Sequence, residues 1–84
     1  MMKVLFFAQV REALGHSVLD VDLPEDVRTV DALVRYCVAA FGEQWGHVLD
    51  ERRVLVAVNQ EIVNYLAPIS NADEVAFFPP VTGG

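Results

Sequence analysis

Lys3 to Gln9 (Lys-Val-Leu-Phe-Phe-Ala-Gln) is an apolar run of strand length, made of side chains that suit a buried, pleated surface. Alternation places Val4, Phe6 and Ala8 on one face and Leu5 and Phe7 on the other. Arg11 to Gly15 reads as a short turn punctuated by its glycine. From Ser17 to Leu23 the chain alternates, with Val18, Asp20 and Asp22 against Leu19, Val21 and Leu23. This predicts a half-buried strand that pairs with the first as a hairpin, closed by Pro24-Glu25-Asp26. The period then changes. Val30, Leu33, Val34, Cys37, Val38 and Phe41 recur every three or four residues, which predicts an amphipathic helix of about three turns. Thr29 stands at its N-cap, Asp31 lies in the first turn where the dipole favours an acid, and Gly42 follows the end.

Glu43 to Arg53 is less regular. Trp45, Val48 and Leu49 are expected to pack as a short turn, and Asp50-Glu51-Arg52-Arg53 reads as a solvated link. Val54 to Val58 is a second buried-type strand. Asn59-Gln60 then reads as a tight turn or a bulge before the short strand Glu61-Ile62-Val63. Leu66-Ala67-Pro68-Ile69 packs loosely, Ser70-Asn71-Ala72-Asp73 is a turn, and Val75 to Phe78 is the last strand. One helix across a mixed sheet of four to five strands is an α+β layer pair of the β-grasp, ubiquitin-like kind. In that arrangement the first and last strands are central, parallel neighbours. Residues 1–80 form the single domain and residues 81–84 a flexible tail.

Composition narrows the function classes. The 84 residues leave no room for a second domain, and a domain this small cannot hide an apolar fraction of 54%. Part of it is expected in an exposed patch that meets a protein partner. The net charge of −6 argues against nucleic acid and suits a partner with a basic surface. The single cysteine excludes a disulfide framework and a multi-cysteine metal site. No signal peptide and no membrane-length apolar stretch is seen, so the cytoplasm is the expected location.

The terminal segment Phe77-Phe78-Pro79-Pro80-Val81-Thr82-Gly83-Gly84 carries the most specific signal. Two phenylalanines end a strand, and two prolines without N–H groups stop its ladder and keep the chain extended. Beyond them stand no large side chains, only Val81, Thr82 and a Gly-Gly end with its carboxylate. From Pro80 to Gly84 the chain reaches about 16 Å. A thin probe tipped by a carboxylate suits insertion into another protein's active site, since glycine lets backbone approach where a Cβ would clash.

Other candidate chemistry is weak. Cys37 sits on the helix's apolar stripe and reads as an inert buried thiol. His16 and His47 lie far apart without ligand spacing and read as surface residues, so no metal is expected. Asp20 and Asp22 share a solvated face without an acid–base partner. No nucleophile–base constellation or phosphate loop is present. Leu5, Phe7, Ala76 and Phe78 face away from the helix, and Ile62 joins them from the short strand. Phe7 and Phe78 read as a partner patch, whereas Leu5 fits equally a second small core beneath residues 43–53.

Three stretches together resemble a known family. These are Lys3-Val-Leu-Phe-Phe-Ala-Gln-Val-Arg-Glu12, Val58-Asn-Gln60 and Asp73-Glu-Val-Ala-Phe-Phe-Pro-Pro-Val-Thr-Gly-Gly84. They are similar to the small, sulfur-carrying subunits of molybdopterin synthase, along the whole chain. Sulfur carriers of thiamine synthesis share the fold and the Gly-Gly end but usually lack the Phe-Phe-Pro-Pro approach. Asn71-Ala72-Asp73 departs from the family's usual Asp-Gly-Asp turn.

The resemblance implies a mechanism. The Gly84 carboxylate, activated with Mg-ATP by a ubiquitin-activating-type adenylyltransferase, becomes an acyl adenylate. A persulfide-bearing sulfur donor protein then supplies the sulfur of a thiocarboxylate. Val81, Thr82, Gly83 and Gly84 thread into the large synthase subunit, where sulfur passes to cyclic pyranopterin monophosphate. Two small and two large subunits assemble, with Phe7, Ile62, Phe78 and Pro80 at the interface. The chain supplies the reacting carboxylate, no catalytic side chain and no permanently bound cofactor. The alternatives are a sulfur carrier for thiamine or tRNA thiolation, a ubiquitin-like modifier conjugated to lysines, or a plain interaction module with an idle tail.

Overall fold

A computed structural model describes residues 1–51 and 54–80. The elements run β1 (Met2–Phe6), α1 (Ala8–Leu14), β2 (Val18–Val21), α2 (Val30–Phe41), α3 (Glu43–Glu51), β3 (Leu55–Val58), β4 (Glu61–Val63) and β5 (Glu74–Phe78). The five strands form one mixed sheet in the order β2-β1-β5-β3-β4. β1 and β5 are parallel neighbours, as the sequence led us to expect, and every other pairing is antiparallel.

Register divides the side chains cleanly. Met2, Val4 and Phe6 of β1, Val75 and Phe77 of β5, Val56 of β3 and Val21 of β2 are buried on one face. Against them pack Val30, Leu33, Val34 and Cys37 from the predicted stripe of α2. At the centre Phe6 lies parallel to Phe77, with centroids 5.9 Å apart, and meets Trp45 edge-on at 5.5 Å.

Local signals explain α2. Thr29 Oγ1 accepts from the Ala32 N–H at 3.1 Å, an N-cap bond, and Gly42 ends the helix. The N–H groups of Val30 and Asp31, which have no partner inside the helix, donate to the carbonyls of Ala67 and Tyr65. The 65–69 segment thus caps the helix, which accounts for its irregular path. The Tyr65 hydroxyl lies 2.9 Å from the carbonyl oxygens of both Leu49 and Val54, so it ties together the end of α3 and the start of β3.

Two stretches differ from the sequence reading. Ala8 turns out of β1 with φ +50°, so the strand stops at Phe6 and residues 8–14 form a helix rather than a strand end and a turn. Only Val10 and Leu14 are buried on it, too few positions for a legible period. Gly15 does end this element, in the left-handed region at φ +75°. Similarly, residues 43–51 form α3 instead of a short turn. Trp45, Val48 and Leu49 hold helical spacing and are buried, but only they mark it amid polar neighbours. Gly46 brings α3 close to α2, since a Cβ there would stand 3.1 Å from Val38 Cγ2. Asp50 is exposed, whereas Arg52 and Arg53 of the expected link lie outside the described residues.

Cys37 is 1% exposed, and burial pushes its thiol from 9.0 up to about 11. The folded state therefore prefers the neutral thiol. Its contribution is intact below pH 9 and lost as pH rises to about 11. At about 1.4 kcal/mol per pH unit this is on the order of 3 kcal/mol. Urea unfolding across that window should show the wild type losing more stability than Cys37→Ala, which keeps only the losses from other groups. Equal losses would refute an ionisation penalty at Cys37. Tyr65 is shifted likewise, to about 12, mainly by burial and secondarily by the charge of Asp50, so its loss falls at higher pH.

Candidate functional site: an apolar sheet face leading to the tail

The outer face of the sheet is the candidate site. The paired registers place Val18, Leu5, Ala76, Ala57 and Ile62 in one row that crosses all five strands. The next row, on the side where β5 ends, holds Phe78 opposite Leu55. Phe7 continues the β1 alternation beside Phe78, its N–H donating to the Phe77 carbonyl at 3.1 Å. The row on the far side is polar: Lys3 faces Asp20 on one neighbour and Glu74 on the other. Apolar character therefore rises toward the end from which the tail departs.

No described helix lies over this face. α3 sits on the opposite side, with Trp45 against Phe6 in the core. A second core beneath residues 43–53 is thereby overturned for Leu5, because Trp45, Val48 and Leu49 spend their apolar surface on the main core. Ile62 is 66% exposed, Phe7 and Val18 45% each, while Leu5 and Phe78 are half-buried. Removing so contiguous an apolar surface from water favours a protein partner.

The structure brings Phe7, Phe78 and Ile62 onto this one face and leaves Pro80 exposed at the tail's base. Sequence reasoning missed Val18, Leu55 and Ala57. The signal for Ala57 was available: a two-residue turn at Asn59-Gln60 forces Ala57 opposite Ile62. Ala57 and Ala76 form the low centre of the face, between Leu5 and Ile62.

A polar network fixes where β5 begins. The turn at Asn59 and Gln60 has φ +51° and +70°, the left-handed pair that a two-residue hairpin demands. The Asn59 N–H donates to the Glu74 carbonyl at 2.8 Å, and the Glu74 N–H to Asn59 Oδ1 at 3.0 Å. Asn59 Nδ2 donates to Asp73 Oδ1 at 2.9 Å, while Asp73 Oδ2 accepts from the Ser70 N–H at 2.8 Å. A slip of β5 by one residue would break the three bonds made by Asn59 and turn Phe78 into the core. Ala72 keeps a negative φ, so this turn has no need of glycine there.

His16 is exposed and lies 5.5 Å from Trp45, the rings tilted by 52°, and His47 lines a cleft between α2 and α3. No group of three potential metal ligands occurs among the described residues. No described helix is long and apolar enough to cross a membrane. Val81, Thr82, Gly83 and Gly84 lie outside the described residues.

A mixed five-stranded sheet with parallel β1 and β5 at its middle and α2 across it is the β-grasp, ubiquitin-like fold. Within that class the chain belongs to the ThiS family, which it matches over residues 4–84. It is 50% identical, over the full length of both chains, to the molybdopterin synthase sulfur carrier subunit of Escherichia coli. Among solved structures it is similar to SAMP1 from Haloferax volcanii, a small archaeal modifier protein, at 26% identity. That match has a TM-score of 0.74 and covers 99% of this chain and 98% of the other. The fold also matches a chain in the complex of subunits 1 and 2 of the molybdopterin-converting factor from Helicobacter pylori. There the TM-score is 0.60 and the identity 20%, with 99% and 97% covered.

Proposed function

We propose that this chain is a sulfur carrier for molybdopterin synthesis, with Gly84 as the carrying residue. The observation behind the reading is the coincidence of a full-length relative of that name with an apolar sheet face that rises toward a Gly-Gly tail. An adenylyltransferase of the ubiquitin-activating type joins the carboxylate to AMP with release of pyrophosphate, using Mg-ATP. A protein persulfide attacks the acyl carbon and AMP leaves. A second thiol cleaves the resulting acyl disulfide, giving the thiocarboxylate and a disulfide. Inside the large subunit the thiocarboxylate sulfur attacks a carbon of the pterin precursor, and the oxygen substituent on that carbon departs as the C–S bond forms. Water then hydrolyses the thioester and restores the Gly84 carboxylate. A dithiolene takes two sulfurs, so two charged carriers serve each product, in keeping with an assembly of two small and two large subunits.

The chain's own part is docking and presentation. Phe7, Ile62, Phe78 and Pro80 meet the large subunit, and Val81, Thr82, Gly83 and Gly84 enter its site. Intact-mass analysis after incubation with the activating protein, Mg-ATP and a sulfur donor tests the carrier role. The expected result is one oxygen exchanged for sulfur at Gly84. An unmodified Gly84 beside a demonstrably active activator would overturn it. The docking role has its own test. Ile62→Asp, on an exposed edge-strand position, should leave the thermal midpoint nearly unchanged and weaken large-subunit binding by about 10- to 100-fold, or roughly 1.4–2.8 kcal/mol. Unchanged affinity by calorimetry would remove Ile62 from the interface.

The likeness to an archaeal modifier protein motivates a second reading, conjugation of Gly84 to protein lysines. Isopeptide-linked adducts on a denaturing gel, absent when Gly83 and Gly84 are deleted, would favour it.

A further inference from the structure

The two edges of the sheet are unlike. β4 is three residues long, and Asn64 bends the chain away at once, its Oδ1 accepting from the Leu66 N–H at 2.8 Å. β2, at the other edge, has only β1 beside it in the sheet. One bond sets its parity. The Phe6 N–H donates to the Ser17 carbonyl at 3.0 Å, and the same register sets Val4 opposite Leu19 and Met2 opposite Val21. In an antiparallel ladder, bonded pairs alternate with unbonded ones. Ser17, Leu19 and Val21 therefore spend their backbone groups on β1. Val18 and Asp20 turn their N–H and C=O groups outward, and no described residue pairs with them.

The side chains along this edge define what would complete it. Val18, 45% exposed, is the last member of the apolar row on the outer face. Asp20 and Asp22 follow at alternate positions, both exposed, and Lys3, which faces Asp20, also faces Glu74. On the inner face Leu19 packs half-buried against the core and Val21 is buried. We propose that this edge docks an extended, basic segment of a protein partner as a sixth strand. The ladder supplies affinity, and the alternating side chains supply selectivity. A residue opposite Val18 prolongs the apolar row. Residues opposite Asp20 and Asp22 are Lys or Arg, and those opposite Leu19 and Val21 are apolar. A second copy of the chain is disfavoured there, because each brings its own aspartates and a net charge of −6.

The docking edge makes no use of the tail or of sulfur chemistry. Its failure would leave the sulfur-carrier reading standing, and failure of that reading would leave the edge as open as before. A strand added at β2 carries the outer face past Val18 and so widens the surface on which Phe7, Phe78 and Ile62 lie.

Amide hydrogen exchange on the full ¹⁵N-labelled chain tests the proposal. The probe is the peptide acetyl-Arg-Val-Arg-Val-Ile-amide, which in antiparallel alignment sets its arginines opposite Asp22 and Asp20 and its isoleucine opposite Val18. Without peptide, the Leu19 and Val21 amides should be protected while those of Val18 and Asp20 exchange freely. Millimolar peptide should slow exchange at Val18 and Asp20 by about fivefold or more. Asp20→Lys, a change at an exposed position, should weaken binding by about 10-fold, since it replaces a cross-strand attraction with a repulsion. A peptide N-methylated at the isoleucine and the second arginine keeps its charge, loses two ladder donors and should not bind. Unslowed amides at both positions, or equal binding of the methylated peptide, would overturn the docking edge. Protection that rises with the chain's own concentration, without peptide, would overturn it too and assign the edge to a second copy.

Discussion

Adding a single residue after Gly84 is expected to abolish sulfur transfer while leaving folding intact. The extra residue moves the terminal carboxyl group by roughly 3.5 Å, and it adds a Cβ where the tail is thinnest unless it too is glycine. A misplacement of about 1 Å can cost on the order of 100-fold in a step that depends on a near-attack geometry, so activity should fall to background. The fold has no stake in the change. Among the described residues, its last core side chain is Phe77 and its last ladder residue is Phe78. The extended chain should thus melt at the wild-type temperature, yet yield no thiocarboxylate and no dithiolene product. An extended variant that still restores product formation would exclude the terminal carboxylate as the sulfur site.

This expectation rests on a segment whose meaning was legible from residue types alone. Two prolines have no N–H to offer a ladder, and two glycines leave backbone bare; neither inference needs a tertiary structure. The strands around Leu5, Val56 and Phe77 were equally legible, because burial on one face or two leaves a direct mark on period-two patterns. The hairpin at Asn59-Gln60 and the N-cap at Thr29 were local signals of the same kind. The short helices were hidden. α1 offers only Val10 and Leu14 to the core, and its start depends on a left-handed turn at Ala8, a residue type that gives no warning of it. α3 has helical spacing at Trp45, Val48 and Leu49, but its remaining positions are polar and Gly46 weakens its propensity. Its placement on the core side decided how the outer face should be read. Without it, Leu5 stood equally well under a second core. With it, the row from Val18 to Ile62 becomes one continuous apolar surface.

Phe77→Ala should strongly destabilise the domain, whereas Phe78→Ala, one residue later, should leave its stability nearly intact and impair docking. Phe77 is fully buried between Phe6, at 5.9 Å, and Tyr65, at 6.3 Å. Truncating such a ring typically costs about 3–5 kcal/mol, through lost transfer energy and the cavity left behind. A domain of this size has on the order of 4–13 kcal/mol in all, so the loss removes a large share and lowers the melting temperature by about 15 °C or more. Phe78 is half-buried on the outer face and opposes Leu55, so its truncation should cost under about 1.5 kcal/mol. Its effect should appear instead in large-subunit affinity. Melting curves and binding isotherms on the two variants separate the roles: Phe77 changes the first, Phe78 the second. If Phe78→Ala lowered stability as much as Phe77→Ala, the outer face would be core, and the docking assignment would fall with it. If both rings acted only on stability, the alternation along β5 would still hold the sheet together but would no longer orient the tail toward a partner.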